Sequence, residues 1–139
     1  MNDDFGVYSA PSNAYEIPVP LGWTLKHDGE SLELISPSGE AAVVVTHYVK
    51  RSKTAETDAR IHLKRFLDGQ DIKGKARESV ATPKRASADF TDRSGKRWTV
   101  MFSSGASGLL LATCTYSAAA TGESEQAMEI IGKLGTTGG

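Results

Sequence analysis

The stretch Ile17-Pro-Val-Pro-Leu-Gly-Trp23 decides the fold class of this chain. It predicts a short strand, a Pro-Leu-Gly bend, and a second strand that opens on a large aromatic anchor. Two hairpin turns are predicted next, at Asp28-Gly29 and Pro37-Ser-Gly39, because glycine accepts the positive φ that tight turns require. Between the turns, apolar and polar side chains alternate as in half-buried strands, and Ala41 to Val49 predicts a long strand rich in β-branched residues.

A helix is predicted after Lys53, where the spacing of apolar residues changes from two to about four. Its apolar stripe consists of Ala55, Ala59, Leu63, Phe66 and Leu67. Ser52 or Thr54 can cap its start, and Gly69 can end it in the left-handed conformation. Residues 70–80 leave two alternatives open, a polar loop or a charged edge strand through Lys75 to Val80.

Three strands are predicted between Arg85 and Tyr116, separated by turns at 92–95 and 103–108. The last of them, from Leu109 to Tyr116, has apolar side chains on both faces, which favours a central position in the sheet, and Leu111 is expected to be buried in the core. A second helix is predicted from about Gly122 to Leu134. Its buried stripe is expected to consist of Ala127, Met128, Ile131 and Leu134.

These elements predict one α+β domain, with a central antiparallel sheet of about six or seven strands flanked by two main helices. A chain of 139 residues is long enough for one such core. Residues 1–13 are expected to form a flexible N-terminal arm, 14–135 the domain, and 136–139 a flexible tail.

The pattern resembles the PsbP-like superfamily, which includes the photosystem II protein PsbP, the Ran-binding MOG proteins and the bacterial DcrB-like proteins. The resemblance is carried by Ile17–Trp23, by the late strand Leu109–Tyr116, and by the closing segment Ile130-Ile-Gly-Lys-Leu134. It covers roughly residues 14–134. It implies a binding or accessory subunit without enzymatic activity, and it transfers no site residue and no cofactor.

Charge is distributed unevenly along the chain, although the formal net charge is only −1. Residues 50–97 contain 14 of the 16 Lys and Arg and 7 acids, a local balance of +7, and the remainder carries −8. A surface formed by the first helix and the segment after it is therefore the candidate binding site. Its predicted residues are Lys50, Arg51, Lys53, Lys64, Arg65, Lys73, Lys75 and Arg77.

Motifs that carry chemistry are weak in this sequence. Gly69-Gln-Asp-Ile-Lys-Gly-Lys75 has the spacing of a phosphate-binding loop but follows a predicted helix and lacks Ser or Thr after the lysine. The three histidines have no zinc-ligand spacing, and His47 is expected to be half-buried in a strand. Cys114 is the only cysteine and is expected to be a slow, buried thiol.

We therefore predict a non-catalytic binding or assembly module that uses a basic surface and needs no cofactor or metal. An acidic protein partner or a second copy of the chain is preferred over nucleic acid, because aromatic residues for base stacking are not interleaved with the basic ones. The alternative is a small-ligand carrier with a pocket between sheet and helix, and an enzyme ranks third. A cytoplasmic location without membrane insertion is expected, since the sequence shows neither a signal peptide nor a membrane span.

Overall fold

A computed structural model describes residues 5–9, 16–28, 31–49, 56–105, 108–117 and 121–134. The elements follow in the order β1 (Phe5–Ser9), β2 (Glu16–Pro20), β3 (Thr24–Asp28), β4 (Ser31–Ile35), β5 (Ala41–Val49), α1 (Ala59–Asp68), β6 (Ile72–Ala81), β7 (Arg85–Asp92), β8 (Arg97–Gly105), β9 (Gly108–Tyr116) and α2 (Thr121–Lys133).

Seven of the strands form one antiparallel sheet in the order β3-β4-β5-β9-β8-β7-β6. β1 and β2 pair separately as a two-stranded sheet. The predicted α+β class and the central place of the late strand β9 are confirmed. The charged edge strand, one of the two alternatives for residues 70–80, is confirmed as β6, which lies at one edge of the sheet.

Two of the predicted turns lie where glycines were expected to allow them, whereas Gly29 of the predicted Asp28-Gly29 turn lies outside the described residues. Gly39 has φ +78° in the connection from β4 to β5, and Gly95 has φ +92° between β7 and β8. The Asp92 carboxylate holds the second turn together, because its Oδ1 accepts hydrogen bonds from the backbone N–H groups of Ser94 and Lys96. Its Oδ2 accepts one from Trp98 Nε1 at 2.9 Å.

Two cores lie on opposite faces of the sheet, because side chains alternate along each strand. In the first core, Val43, Leu110 and Ile130 pack together under α2. In the second, Leu63 of α1 packs with Ala88, Phe90, Val100, Phe102 and Leu109. β9 supplies residues to both cores, which explains its apolar character on both faces.

Polar contacts fasten α2 to the sheet at several points. Trp23 Nε1 donates to Gln126 Oε1 at 3.1 Å. The Ser38 backbone N–H donates to the Glu123 carboxylate in the first turn of the helix. At the other end, the Arg85 guanidinium donates to the carbonyls of Leu134 and Ile131, at 2.7 and 2.9 Å. A cation at this end also opposes the negative end of the helix dipole.

The start and end of α1 differ from expectation. Asp58 is its N-cap, and its side chain accepts from the Arg60 N–H, whereas Ser52, Thr54 and Ala55 lie outside the described residues. Gly69 has φ −90° and ψ 0°, so the prediction of a left-handed end is wrong. Gly69 is instead in the right-handed region. The backbone N–H groups of Gly69 and Gln70 close the last turn by donating to the carbonyls of Phe66 and Leu67.

Three further expectations need correction. Residues 5–9 of the predicted arm form the strand β1. Met128 is 45% exposed and Ile130 is fully buried, so Ile130 replaces Met128 in the buried stripe of α2. Leu111, expected in the core, is only partly buried, and its neighbour Leu110 is fully buried. The division into arm, domain and tail remains a prediction.

Candidate basic binding surface

Two of the predicted basic residues, Lys64 and Arg65, lie on α1 and are exposed. The opposite side of this helix carries Ala59 and Leu63, which are buried against the sheet. The apolar stripe sets the rotation of the helix, so its charged side chains point to solvent. Both side chains are exposed, and their role in binding remains a prediction.

Three more of the predicted residues, Lys73, Lys75 and Arg77, lie on the edge strand β6 and are also exposed. Lys73 pairs across the ladder with Thr91, and Arg77 pairs with Asp89. Between these pairs the register shifts, and Gly74 has φ +78°. Such a bulge requires a residue that tolerates the left-handed region, and glycine does so without a steric cost.

The sheet separates these two groups of basic residues. Ala88 and Phe90 of β7 pack with α1, so Asp89 and Thr91, which alternate with them, project from the other face. Lys73 and Arg77 are their cross-strand partners and share that other face. The surface that the sequence predicted as one continuous face is therefore divided into a part on α1 and a part on β6.

Ion pairing separates the described cations into two groups, and the five residues of α1 and β6 belong, with Lys26, Lys84, Lys96 and Arg97, to the group without a described carboxylate partner. Arg60 pairs with Asp58, Arg93 with Asp71, and Lys133 with Glu129, at 2.7 to 2.9 Å. Within the described ranges, no carboxylate oxygen lies within 4.0 Å of a cationic nitrogen of the five residues of α1 and β6. Their charge is therefore not neutralised locally by the described part of the chain.

The remaining predicted residues, Lys50, Arg51 and Lys53, lie outside the described residues. One exposed cation that the sequence analysis did not single out is Arg97, the first residue of β8. It pairs with Thr91, which in turn pairs with Lys73. Alternation from the apolar Trp98 could have placed Arg97 on the face away from α1, but its alignment with Lys73 depends on non-local strand pairing.

The candidate nucleophile is held in an unreactive environment. Cys114 is fully buried in the first core. Burial, with a smaller effect from the nearby Asp89 charge, raises the pKa of the Cys114 thiol to about 12. Since the thiolate is the reactive form, this environment opposes nucleophilic chemistry at neutral pH.

The histidines are placed separately. His47 lies in β5 and is half-buried, as predicted, and burial lowers its pKa. His62 lies on α1, where its ring stacks at a tilt on Phe102 with 5.8 Å between ring centroids. The described part of the chain contains no group of three or more His, Cys, Asp or Glu that could hold a metal ion. The absence of a metal remains a prediction.

Two further features bear on the expected functions. Gly69 ends a helix and is followed by the strand β6, so the Gly69–Lys75 motif has the reverse of the strand-to-helix order of a phosphate-binding loop.

Among the described helices, neither has the length and apolar character needed to cross a bilayer.

The described residues form nine strands, two helices and two cores, and this arrangement is the PsbP-like fold that the sequence resemblance implied. The solution structure of cyanobacterial PsbP (CyanoP) from Synechocystis sp. PCC 6803 matches it with a TM-score of 0.63 at 13% identity, over 96% of this chain and 93% of that one. A crystal structure from Bacteroides thetaiotaomicron VPI-5482 matches with a TM-score of 0.63 at 14% identity, over 94% of this chain.

This chain spans about half, 48%, of the Bacteroides chain. No family model matches the sequence, and no curated protein matches it. At these identities the likeness establishes the fold and does not transfer a function.

Proposed function

We propose that this protein is a non-catalytic binding or assembly module whose exposed basic residues contact an acidic protein partner. The PsbP-like fold supports an accessory role. The residues that we propose for the contact are Lys50, Arg51, Lys53, Lys64, Arg65, Lys73, Lys75 and Arg77.

The observation that carries this proposal is the grouping on α1 and β6 of five exposed basic residues without a carboxylate partner among the described acids. Arg60, Arg93 and Lys133 each have a carboxylate partner, whereas the five described residues of the proposed contact have none among the described acids. Exposed charge of one sign raises the association rate with a partner of opposite sign. A chain with a net charge of −1 gains no such attraction from its overall charge, so the clustering must supply it.

A protein partner is preferred over nucleic acid because of the position of Phe66, the aromatic residue of α1. Its ring packs edge-on against Phe102, with centroids 6.2 Å apart, instead of standing free for base stacking. No contact in the described part of the chain favours the carrier alternative.

The test measures binding of a fluorescein-labelled glutamate-rich peptide to the wild-type protein by fluorescence anisotropy. Binding should weaken as salt rises toward 1 M, because the Debye length falls to about 3 Å. A variant with Lys64, Arg65, Lys73, Lys75 and Arg77 all changed to Gln should lose most of the affinity.

The matched control is the double variant Lys26→Gln/Lys133→Gln, which removes basic charge from β3 and from the end of α2. It should bind the peptide like the wild type. A wild-type protein that does not bind the peptide at low salt, or a fivefold-neutralised variant that binds it equally well, would contradict the proposed function.

A further inference from the structure

We infer that an acidic segment of a partner protein binds across β6, β7 and β8 on the face of the sheet turned away from α1, where Lys73, Arg77 and Arg97 converge. This inference rests on the proposed function and narrows it to one surface, which includes a residue outside the predicted set. The supporting features are the strand register, the charge balance on this face, and the interior position of β8.

The register places these side chains in two adjacent rows across the sheet. One row contains Lys73, Thr91 and Arg97, and the next contains Arg77, Asp89 and Thr99. Because neighbouring strands are about 4.8 Å apart, the backbones at Lys73 and Arg97 are roughly 10 Å apart. The rows are separated by two residues of β7, or about 7 Å. Long basic side chains reach across these distances, so one extended segment can contact all three.

Charge on this patch is strongly biased toward cations. Lys73, Arg77 and Arg97 are exposed, and Asp89 is the acidic residue in the two rows. The Asp89 carboxylate already accepts a hydrogen bond from Thr99 Oγ1 at 2.8 Å. Opposed charges within about 8 Å interact at physiological salt, so carboxylates laid on this patch would feel several cations at once.

Protection of a sheet edge is the competing explanation for basic residues on β6. Edge strands commonly carry lysines and bulges that discourage pairing with another strand. That explanation accounts for Lys73, Lys75 and the bulge at Gly74. It does not account for Arg97, which lies on β8, between β7 and β9 in the interior of the sheet. The same bulge disfavours strand addition, so the contact that we infer is made by side chains.

Helix α2 lies on the same face of the sheet as these cations but packs mainly on other strands. It packs on β2, β5 and β9, and the Arg85 guanidinium fixes its last turn. The basic residues of α1 lie on the other face of the sheet and cannot contact the same short segment together with Arg97. A single short acidic segment can therefore bind only one of the two faces of the sheet at a time.

The experiment compares two variants that lose equal charge, Arg77→Gln/Arg97→Gln on the sheet face and Lys64→Gln/Arg65→Gln on α1. The probe is the labelled glutamate-rich peptide, at low salt. The sheet-face double variant should bind the peptide about three- to tenfold more weakly than wild type. The α1 double variant should lose less affinity for the peptide. Arg97→Gln alone should also weaken binding. Equal urea midpoints for all variants establish that folding is unaffected.

The inference fails if wild type binds the peptide but the α1 pair loses as much affinity as the sheet-face pair, a result that leaves the proposed function standing. It also fails if a DNA oligonucleotide of equal charge binds as tightly as the peptide. A third result would also overturn the inference, namely a concentration-dependent dimer of the protein that the Arg97→Gln substitution abolishes. In that case the surface would bind a second copy of the chain and not a segment of a partner protein. If wild type does not bind the peptide, both proposals fall together.

Discussion

The Asp92 carboxylate organises the turn between β7 and β8 by accepting hydrogen bonds from side chains and backbone at once. The Ser94 hydroxyl and then the Trp98 indole N–H are the main causes that lower the pKa of Asp92 to about 2. These bonds favour the ionised form, so ionisation of Asp92 stabilises the folded protein. Trp98 in turn stacks on Phe90, which joins this turn to the second core.

The sign of the resulting pH dependence follows from the lowered pKa. The stabilisation is fully present above the unfolded pKa, about 3.9 for Asp, and is lost as pH falls toward about 2. We expect Asp92→Asn to lower the urea midpoint at neutral pH and the difference from wild type to shrink through this acid range. Asp68→Asn, at the exposed end of α1, is the control for the removal of one exposed carboxylate. An Asp92→Asn deficit that is independent of pH would contradict the assignment.

Leu110 and Leu111 are adjacent in β9 and provide a matched pair, because they project from opposite faces. Leu110 is fully buried in the first core, and Leu111 is partly buried beside the second. Leu110→Ala should destabilise the protein by about 2–5 kcal/mol, since it removes buried atoms and leaves a cavity. Leu111→Ala should cost less. Equilibrium urea unfolding measures both, and a larger cost at Leu111 would show that the two faces are assigned the wrong way round.

At the scale of elements, the Arg85 guanidinium fastens the C-terminal end of α2 to the sheet. The Arg85 guanidinium comes from β7 and donates to the carbonyls of Leu134 and Ile131 at the end of the helix, where the regular i to i+4 pattern of backbone bonds runs out. Burial lowers the pKa of Arg85, yet the group stays charged at any physiological pH. Its hydrogen bonds therefore remain charge-assisted.

We expect Arg85→Met to destabilise the protein by about 1–2 kcal/mol, because hydrogen bonds from a partly buried charged group to the end of α2 are lost. Arg93→Met is the control, since Arg93 forms an ion pair with Asp71 in which both side chains are more than 70% exposed. That substitution should change stability by less than about 1 kcal/mol. Thermal and urea unfolding give the comparison, and equal effects of the two substitutions would refute the role of Arg85.

At the scale of the whole molecule, local patterns in the sequence were sufficient to predict most of the fold. Alternation and glycine turns are short-range signals, so the hairpins and the central strand around Leu109 could be predicted. The start of α1 could not, because a weak stripe through Ala55 suggested an earlier beginning than the Asp58 cap. In α2, apolar residues at 127, 128, 130 and 131 admit more than one helical phase, and packing selected Ile130 over Met128.

The candidate surface was only partly predictable from the sequence. Clustering of basic residues along the chain is a one-dimensional signal, and in the structure Lys64 lies on α1 and Lys73 on β6. Which face each residue occupies depends on strand pairing across the sheet and on the register shift near Gly74. Neither is encoded by local periodicity. The alignment of Arg97 with Lys73 is therefore visible only in three dimensions.

The order of strands divides the large sheet into two parts, each built from strands that are consecutive in the chain, and one strand ladder joins these two parts. β3, β4 and β5 follow one another in sequence, as do β6 to β9, and the β5–β9 ladder joins the two parts. There, Val45 pairs with Ala112, 67 positions later (112 − 45). Closing a flexible loop of that length costs about 4 kcal/mol of chain entropy. Every other ladder of the large sheet joins strands that are consecutive in the chain.

This arrangement suggests that the protein can be rebuilt from two polypeptides. Fragments 1–53 and 54–139 each contain one part, and each alone exposes one edge of the β5–β9 ladder. We expect the mixed fragments to form a one-to-one complex with the near-ultraviolet circular dichroism of the intact chain and a concentration-dependent stability. Val45→Asp in the shorter fragment should prevent assembly, because it buries an unpaired charge. If the longer fragment alone gave the full native spectrum, the β5–β9 ladder would not be what holds the two parts of the molecule together.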